Sequence, residues 1–255
     1  RRAFLPSTKA GPWPVHSNRY LAKWLVNQIQ ESSLAVLHGI YATVYSATWY
    51  RLLGAKVGKD TELSTASGLV PDMLTLGDEC FIADAVMLGD EHIDGGWMTV
   101  QPTTVSRRSF IGNGAYVPDG TTIPENVLIG VMSGVPRSAQ MASGDTWLGS
   151  PPMLLPARES TQGYPEHLTF HPSRWRKTGR GAVEALRIAS PHALVIAAGY
   201  AIVLDAMPLA EEGQWNLLAL ELAVAGLIFG MGTFLAVALF KWMLLGRYRK
   251  RNTPM

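Results

Sequence analysis

The sequence predicts a mixed fold: a left-handed parallel β-helix of about four hexapeptide-repeat coils, preceded by a helical segment and followed by a transmembrane α-helical hairpin. Three observations carry that expectation. Aliphatic residues recur every six positions between Val57 and Val135, and two stretches near the C-terminus carry no charge. Charged residues make up only 16% of the 255, against roughly 25% in ordinary soluble domains.

Residues 1–52 read as a linker followed by a helical or interfacial segment. The run Ser32 to Tyr50 is uncharged but holds Ser, Thr, His and three Tyr. Arg19 and Lys23 precede it, and Arg51, Lys56 and Lys59 follow it. With cations on both sides there is no charge gradient to drive a crossing, so an interfacial or domain-packed helix is expected. The chain opens on Arg1-Arg2 with no signal-peptide pattern, which reads as a piece of something longer.

Residues 53–160 carry the repeat. Its positions are Val57, Leu63, Leu69, Leu76, Ile82, Leu88, Val105, Ile111, Val117, Ile123, Ile129 and Val135, and eight of these twelve are followed directly by Gly or Pro. Neither the 3.6-residue helical period nor strand alternation yields that spacing. A hexapeptide solenoid does: each unit is one flat side, the aliphatic side chain points inward, and a small residue turns the corner. Gly112-Asn113-Gly114 and Pro118-Asp119-Gly120 have the composition of such corners. Between Leu88 and Val105 the register fails, and residues 89–104 are expected to leave the solenoid as a loop or distorted turn.

Residues 161–187 read as a basic juxtamembrane linker containing Arg174, Arg176, Lys177, Arg180 and Arg187, and 188–248 as two membrane helices. Ala189 to Leu204 and Leu222 to Phe240 are uncharged, and the second is about the length that a bilayer requires. Pro191 near the first helix's start is tolerable, while Pro208 and Gly213 are expected to break the chain between the helices. Cations flank both outer ends and none lies in the connection, so the positive-inside rule puts both ends and the β-helix on the cytoplasmic side of the inner membrane.

The excursion carries the candidate chemistry. His92 lies there among Asp90, Glu91 and Asp94. An imidazole beside a carboxylate is a general-base arrangement, with Asp90 or Asp94 fixing the tautomer; a solvated loop histidine is the alternative. Glu91 adds to an acidic field that attracts an amine, and the backbone N–H groups of Gly95-Gly96, or of Gly112, are candidate oxyanion donors. Gln101, Thr103, Arg107, Arg108 and Asn113 are further candidates for a substrate cleft. Arg107-Arg108 suits a phosphate or carboxylate, or is a solvated face; Asn113 is a substrate donor or a left-handed corner residue.

No metal is expected, because a zinc site on this fold would draw histidines from adjacent coils and only one is present. His167 and His171 are bracketed by Pro165 and Pro172 and read as loop residues. Cys80 reads as a small packed residue. A net charge of +2 argues against a nucleic-acid partner, and no GxxxxGKS/T or GxGxxG phosphate loop is present.

The repeat is similar to that of hexapeptide-repeat acyltransferases, which form left-handed β-helices and often use a loop histidine as base. A closer resemblance rests on Trp49-Tyr50-Arg51-Leu52-Leu53-Gly54-Ala55-Lys56-Val57-Gly58, Arg108-Ser109-Phe110-Ile111-Gly112-Asn113, Trp147-Leu148-Gly149-Ser150-Pro151-Pro152 and Lys241-Trp242-Met243-Leu244-Leu245-Gly246-Arg247-Tyr248. Together these resemble the carboxy-terminal membrane region of single-module nonribosomal peptide synthetases of the epsilon-poly-lysine synthetase type. The resemblance implies one soluble repeat with one membrane hairpin, and a condensation in which an amine attacks an aminoacyl thioester. It also implies phosphopantetheine on a partner carrier domain, with neighbouring repeats of the same chain and the lipid bilayer as further partners. It supplies no catalytic residue. Two other expectations stand beside it: a non-catalytic membrane-anchored scaffold that docks carrier or neighbouring repeats, and a coenzyme A-dependent acetyltransferase with a basic groove.

Overall fold

The computed structural model describes residues 8–156 and 165–247. The Arg1-Arg2 opening, the boundary at residue 160 and the basic run Arg249-Lys250-Arg251 lie outside them. The chain divides into two compact units, Arg1–Ile188 and Ala189–Met255.

The first unit opens with strand β1 (Gly11–Pro14) and helices α1 (Asn18–Val36) and α2 (Ser46–Leu53). Ser17 caps α1 by accepting the Tyr20 N–H, and α2 stops at Gly54, whose φ of 114° is open to glycine. The uncharged run Ser32 to Tyr50 is thus the end of one helix, a turn and most of a second. Tyr41 and Tyr50 are buried in the core. The Tyr50 hydroxyl donates to Ala66 O at 3.4 Å, and Ser46 Oγ donates to Leu63 O at 2.6 Å. The run packs on the first coil, the second of the two placements the composition allowed.

Fifteen short strands follow: β2 (Lys56–Val57), β3 (Glu62–Leu63), β4 (Ala66–Ser67), β5 (Leu74–Leu76), β6 (Phe81–Ile82), β7 (Val86–Asp90), β8 (His92–Asp94), β9 (Trp97–Val100), β10 (Thr103–Val105), β11 (Phe110–Ile111), β12 (Tyr116–Pro118), β13 (Thr122–Ile123), β14 (Leu128–Ile129), β15 (Thr146–Leu148) and β16 (Met153–Leu154). Three sheets are visited in rotation. The first joins β2, β5, β10 and β13; the second β3, β6, β11, β14, β15 and β16; the third β4, β7 and β12. All pairings within them are parallel except β15 with β16.

The repeat positions stack in register. Val57, Leu76, Val105 and Ile123 form one column, and Leu63, Ile82, Ile111 and Ile129 a second. From Leu63 to Ile129 every repeat residue is no more than 2% exposed, whereas the terminal Val57 and Val135 are only partly buried. This is a one-dimensional core, each coil burying its apolar residue against the coils above and below. Hydrogen bonding leaves the three sheets separate, so the expected solenoid is present as parallel sheets visited in turn and not as one closed sheet.

Corners need left-handed backbone. Asp60, Glu79, Arg108 and Asn126, with φ of 53° to 59°, turn from the first sheet to the second; Gly68, Gly89 and Gly120 turn from the third back to the first. Gly77 serves another purpose: a Cβ there would sit 2.6 Å from Arg107 N in the next coil.

The excursion expected as a loop is instead a β-hairpin. β8 and β9 pair antiparallel, with His92 opposite Thr99, and β1 adds a third strand. Trp13, Val70, Met98 and Val100 form a small separate core beneath it. Asp94-Gly95-Gly96-Trp97 is the turn, with φ of 53° and 83° at the glycines, the double left-handed pattern of a two-residue hairpin loop.

Helices α3 (Arg174–Glu211) and α4 (Trp215–Leu245) are the last elements among the described residues. α3 begins well before the uncharged run and passes through both Pro191 and Pro208, correcting the expectation that Pro208 breaks it. Each proline removes one hydrogen bond, and the flanking bonds of a long helix carry it past the gap. The break falls at Gly213, φ 70°. Both helices are long and apolar enough to cross a membrane, the most apolar 18-residue stretch of each having a mean hydropathy of 1.9 and 2.3.

Candidate functional site

The candidate residues fall at three different corners. His92, Asp90, Glu91, Asp94, Gly95, Gly96 and Gln101 lie where the chain passes from the third sheet to the first. Arg107 and Arg108 lie between the first and second sheets, and Asn113 lies between the second and third. Asn113 is exposed, and its carbonyl accepts the Met132 N–H at 2.8 Å, so it is a corner residue but not the left-handed one expected: the positive φ of this corner, 64°, falls at Gly114, where no Cβ opposes it. Gly112 belongs to the same corner, and its N–H is spent on Ile129 O at 2.8 Å.

Strand alternation puts His92 and Asp94 on one face of β8 and Ile93 on the other. His92 and Asp94 are exposed, as are Gly95 and Gly96, where an added Cβ would meet nothing within 4 Å. Behind them is a polar cluster that the sequence did not reveal. Lys23 of α1 is 1% exposed, and its Nζ lies 2.5 Å from Glu91 Oε2. Asn27 Nδ2 donates to Glu91 Oε1 at 3.3 Å. Burial raises the Asp90 carboxyl above its ordinary range, the neighbouring Glu91 charge adds to that, and Lys23 opposes it. α1 thus supplies the cation that lets two adjacent acids be held at the base of the hairpin.

Asp119, one coil further on, completes the cluster. Pro118 pairs with Asp90 across β12 and β7, which brings Asp119 under the hairpin. Burial raises its carboxyl, while a hydrogen bond from the Gln101 backbone and the field of His92 lower it. Its Oδ2 is buried with no hydrogen-bond partner among the described residues. The sequence signal for Asp119 was its corner motif, which hid its neighbourhood with His92.

Arg107 and Arg108 are committed elsewhere. Both hold Glu79, at 3.0 and 2.5 Å, and Arg108 also reaches Glu166 at 3.0 Å and lies 4.4 Å over the Phe170 ring. His171 joins them, its Nδ1 2.7 Å from Glu166 and its Nε2 3.2 Å from Glu79. The hydrogen bond from Arg108 outweighs burial and holds the Glu79 carboxyl below its usual range. Next to it Cys80 is buried, its thiol pushed up by desolvation. A cavity of about 610 Å³ opens beside Glu79 and Phe81, and a crevice of about 10 Å³ lies between α1 and Gly68; His92 lines neither. Among the described residues no group of three or more His, Cys, Asp or Glu is placed to hold a metal ion.

No family model matches the chain. A curated protein does: Delta-poly-L-ornithine synthetase of Acinetobacter baumannii (strain AB307-0294) is 54% identical over 255 residues, all of this chain and 19% of that protein. The resemblance to the single-module synthetases is therefore present across the whole chain, which spans 19% of the length of the curated relative it matches. Among solved structures, a maltose O-acetyltransferase from Clostridium difficile 630 is 16% identical, covering 57% of this chain and 91% of its own, at a TM-score of 0.39. An N-acyltransferase from Bacillus cereus is 18% identical, covering 41% and 60%, at 0.32. Likenesses this loose add nothing to the fold read from the chain itself.

Proposed function

We propose that this chain is a membrane-anchored, acyltransferase-like part of a poly-amino-acid synthetase, which joins a carrier-bound aminoacyl thioester to an amine. The observation that carries the reading is the 54% identity to Delta-poly-L-ornithine synthetase over the whole chain. The repeat region acts as a left-handed β-helix spanning about residues 53–160, and the two apolar helices anchor it with both outer ends and the β-helix in the cytoplasm, the flanking cations supporting that side. Phosphopantetheine on the carrier supplies the thioester, and neighbouring repeats of the longer protein pack beside this one.

The chemistry is assigned to the hairpin. A neutral amine attacks the thioester carbonyl carbon, forming the C–N bond and an oxyanion. His92 takes the proton from nitrogen; the C–S bond then breaks, and the sulfur leaves with that proton. Glu91 and Asp119 stabilise the imidazolium, and Asp94 on the same strand face orients it. The open N–H groups at Gly95-Gly96 are the donors proposed for the oxyanion. Glu91, Asp90 and Asp119 together draw the cationic acceptor to the site, where it releases one proton to solvent before it attacks as the neutral amine.

The full-length synthetase in detergent, supplied with ATP and ornithine, tests this by mass spectrometry of carrier loading and amide product. His92→Ala is expected to leave loading intact and lower product at least about a hundredfold. Unchanged product removes His92 from the chemistry. One observation favours a second reading, a non-catalytic scaffold: His92 is exposed and lines neither cavity. Undiminished product in the His92 variant is the outcome that scaffold predicts.

A further inference from the structure

The cavity of about 610 Å³ lies at a different corner from the hairpin, among α2, the first two coils and the first turns of α3, and its size is that of a small-molecule pocket. Its apolar part is unusual for a surface. Phe81 is 39% exposed although its ring stacks on Phe110 at 5.3 Å, and Leu168 and Phe170 are 46% and 38% exposed on the facing segment. The side chains of Phe81, Leu168 and Phe170 line an opening that nothing in the described chain fills.

The charges around it are unequal. Arg51, Arg176, Lys177 and Arg180 line the cavity against Asp60, Glu62 and Glu79. The three carboxylates are taken: Asp60 by Lys177 at 2.6 Å, Glu62 by Arg180 at 2.5 Å, and Glu79 by Arg107 and Arg108. Arg51 gives its guanidinium to Val57 O and Gly58 O at 3.0 and 2.7 Å. Arg176 remains, a lining guanidinium with no carboxylate partner among the described residues. A ligand suited to this place is anionic at one end and weakly polar along its length. A metal cation or free amine would meet acids already neutralised and two guanidiniums, Arg51 and Arg176, that no carboxylate balances.

We propose that this cavity binds a phosphate ester carried on a flexible, weakly polar arm, with the phosphate at Arg176 beside Lys177 and the arm along Phe81, Leu168 and Phe170. The inference rests on the carrier-dependent reading above, in which that ester is the carrier's phosphopantetheine. Arginine suits the phosphate because its planar fork presents paired donors. An arm held here is parked at a corner of its own, apart from the His92 hairpin, so the cavity is a docking site and not a reaction centre. The same chemistry occurs in a phospholipid headgroup, and α3 continues into the apolar segment, so the test separates the two sources.

The chain in detergent micelles is titrated calorimetrically with 4′-phosphopantetheine, with pantetheine lacking the phosphate, and with a short-chain phosphatidylglycerol below its micellar concentration. One saturable site is expected for phosphopantetheine, with pantetheine weaker by about tenfold. Arg176→Glu, an exposed side chain whose loss leaves the fold intact, is expected to weaken phosphopantetheine by about tenfold or more, and Phe81→Ala to weaken both ligands. Arg137→Glu, outside the cavity, serves as the control and leaves binding unchanged. Binding by Arg176→Glu equal to the original chain, or equal binding of the phosphate-free arm, overturns the proposal. Tighter binding of the phosphatidylglycerol than of phosphopantetheine also overturns it and assigns the cavity to lipid. No ATP or amide formation enters these titrations, so their failure is distinct from a failure of the condensation reading, which the synthetase assay reads alone.

Discussion

Glu79 is a nearly buried carboxylate whose neighbours decide how the protein meets acid. Arg108, Arg107 and His171 surround it, and its pKa in the folded state is depressed, chiefly by the Arg108 hydrogen bond. A depressed carboxyl contributes stability above its unfolded pKa, roughly 4.3, and loses it as pH falls through the folded value. The original chain should therefore lose stability below about pH 4.5 more steeply than Glu79→Gln, as followed by tryptophan fluorescence across a pH series of denaturant melts. Equal slopes would mean that Glu79 gains nothing from its cations. Lys23 tests burial in the opposite sense. Its ammonium is 1% exposed and holds Glu91 at 2.5 Å, so Lys23→Met leaves Glu91 and Asp90 without their cation and should cost about 3 kcal/mol. Lys23→Arg should recover part of that in the same melts. The His92 neighbourhood was only half legible at this scale. Asp90, Glu91 and Asp94 were visible because they adjoin His92 in sequence. Lys23 and Asp119 were not, because helix packing and coil stacking bring them in, and neither leaves a local pattern.

Among the elements, the coils were the easiest to read. An inward aliphatic residue every sixth position is demanded by the geometry, and the small residue after it often has a steric cause of its own. Gly77 shows that cause directly: Gly77→Ala would press a methyl to 2.6 Å from the Arg107 nitrogen, a backbone atom that cannot step aside. Overpacking of this kind costs typically 1–3 kcal/mol, so a loss of about 2 kcal/mol is expected in chemical denaturation. A neutral result would mean that adjacent coils separate easily. The hairpin was harder, because its strands are short, polar and exposed on one face. The available signal was Gly95-Gly96 between a three-residue and a four-residue extended segment. Its third strand, β1, comes from a distant part of the chain and had no signal at all. In α3 Pro208 misled, since a proline costs one hydrogen bond while the long apolar helix keeps the rest.

At the scale of the molecule, the uneven distribution of charge was the most informative property of the sequence. It separated a repeat unit with charges on its corners from two helices whose apolar stretches have mean hydropathies of 1.9 and 2.3. The proposed orientation is testable through the turn after α3, where Glu212 is exposed. Glu212→Cys in intact cells should react with a membrane-impermeant maleimide added outside. The native Cys80, buried at 2% exposure, contributes little background. Labelling only after lysis would reverse the topology.

The rotation of the chain among three sheets also dictates which changes of length the protein can absorb. Six residues advance the chain by one sheet, so an insertion of six carries everything downstream to the next edge, and Arg108 loses the stack it shares with Glu79. A whole circuit of about eighteen residues returns each later side chain to its own edge one storey higher. Growth by full circuits, or by a side branch that leaves and rejoins the same edge as β8 and β9 do, keeps the addresses intact. The fold is in that sense a filing system in which position along the chain, counted modulo one circuit, decides which neighbours a new residue will meet.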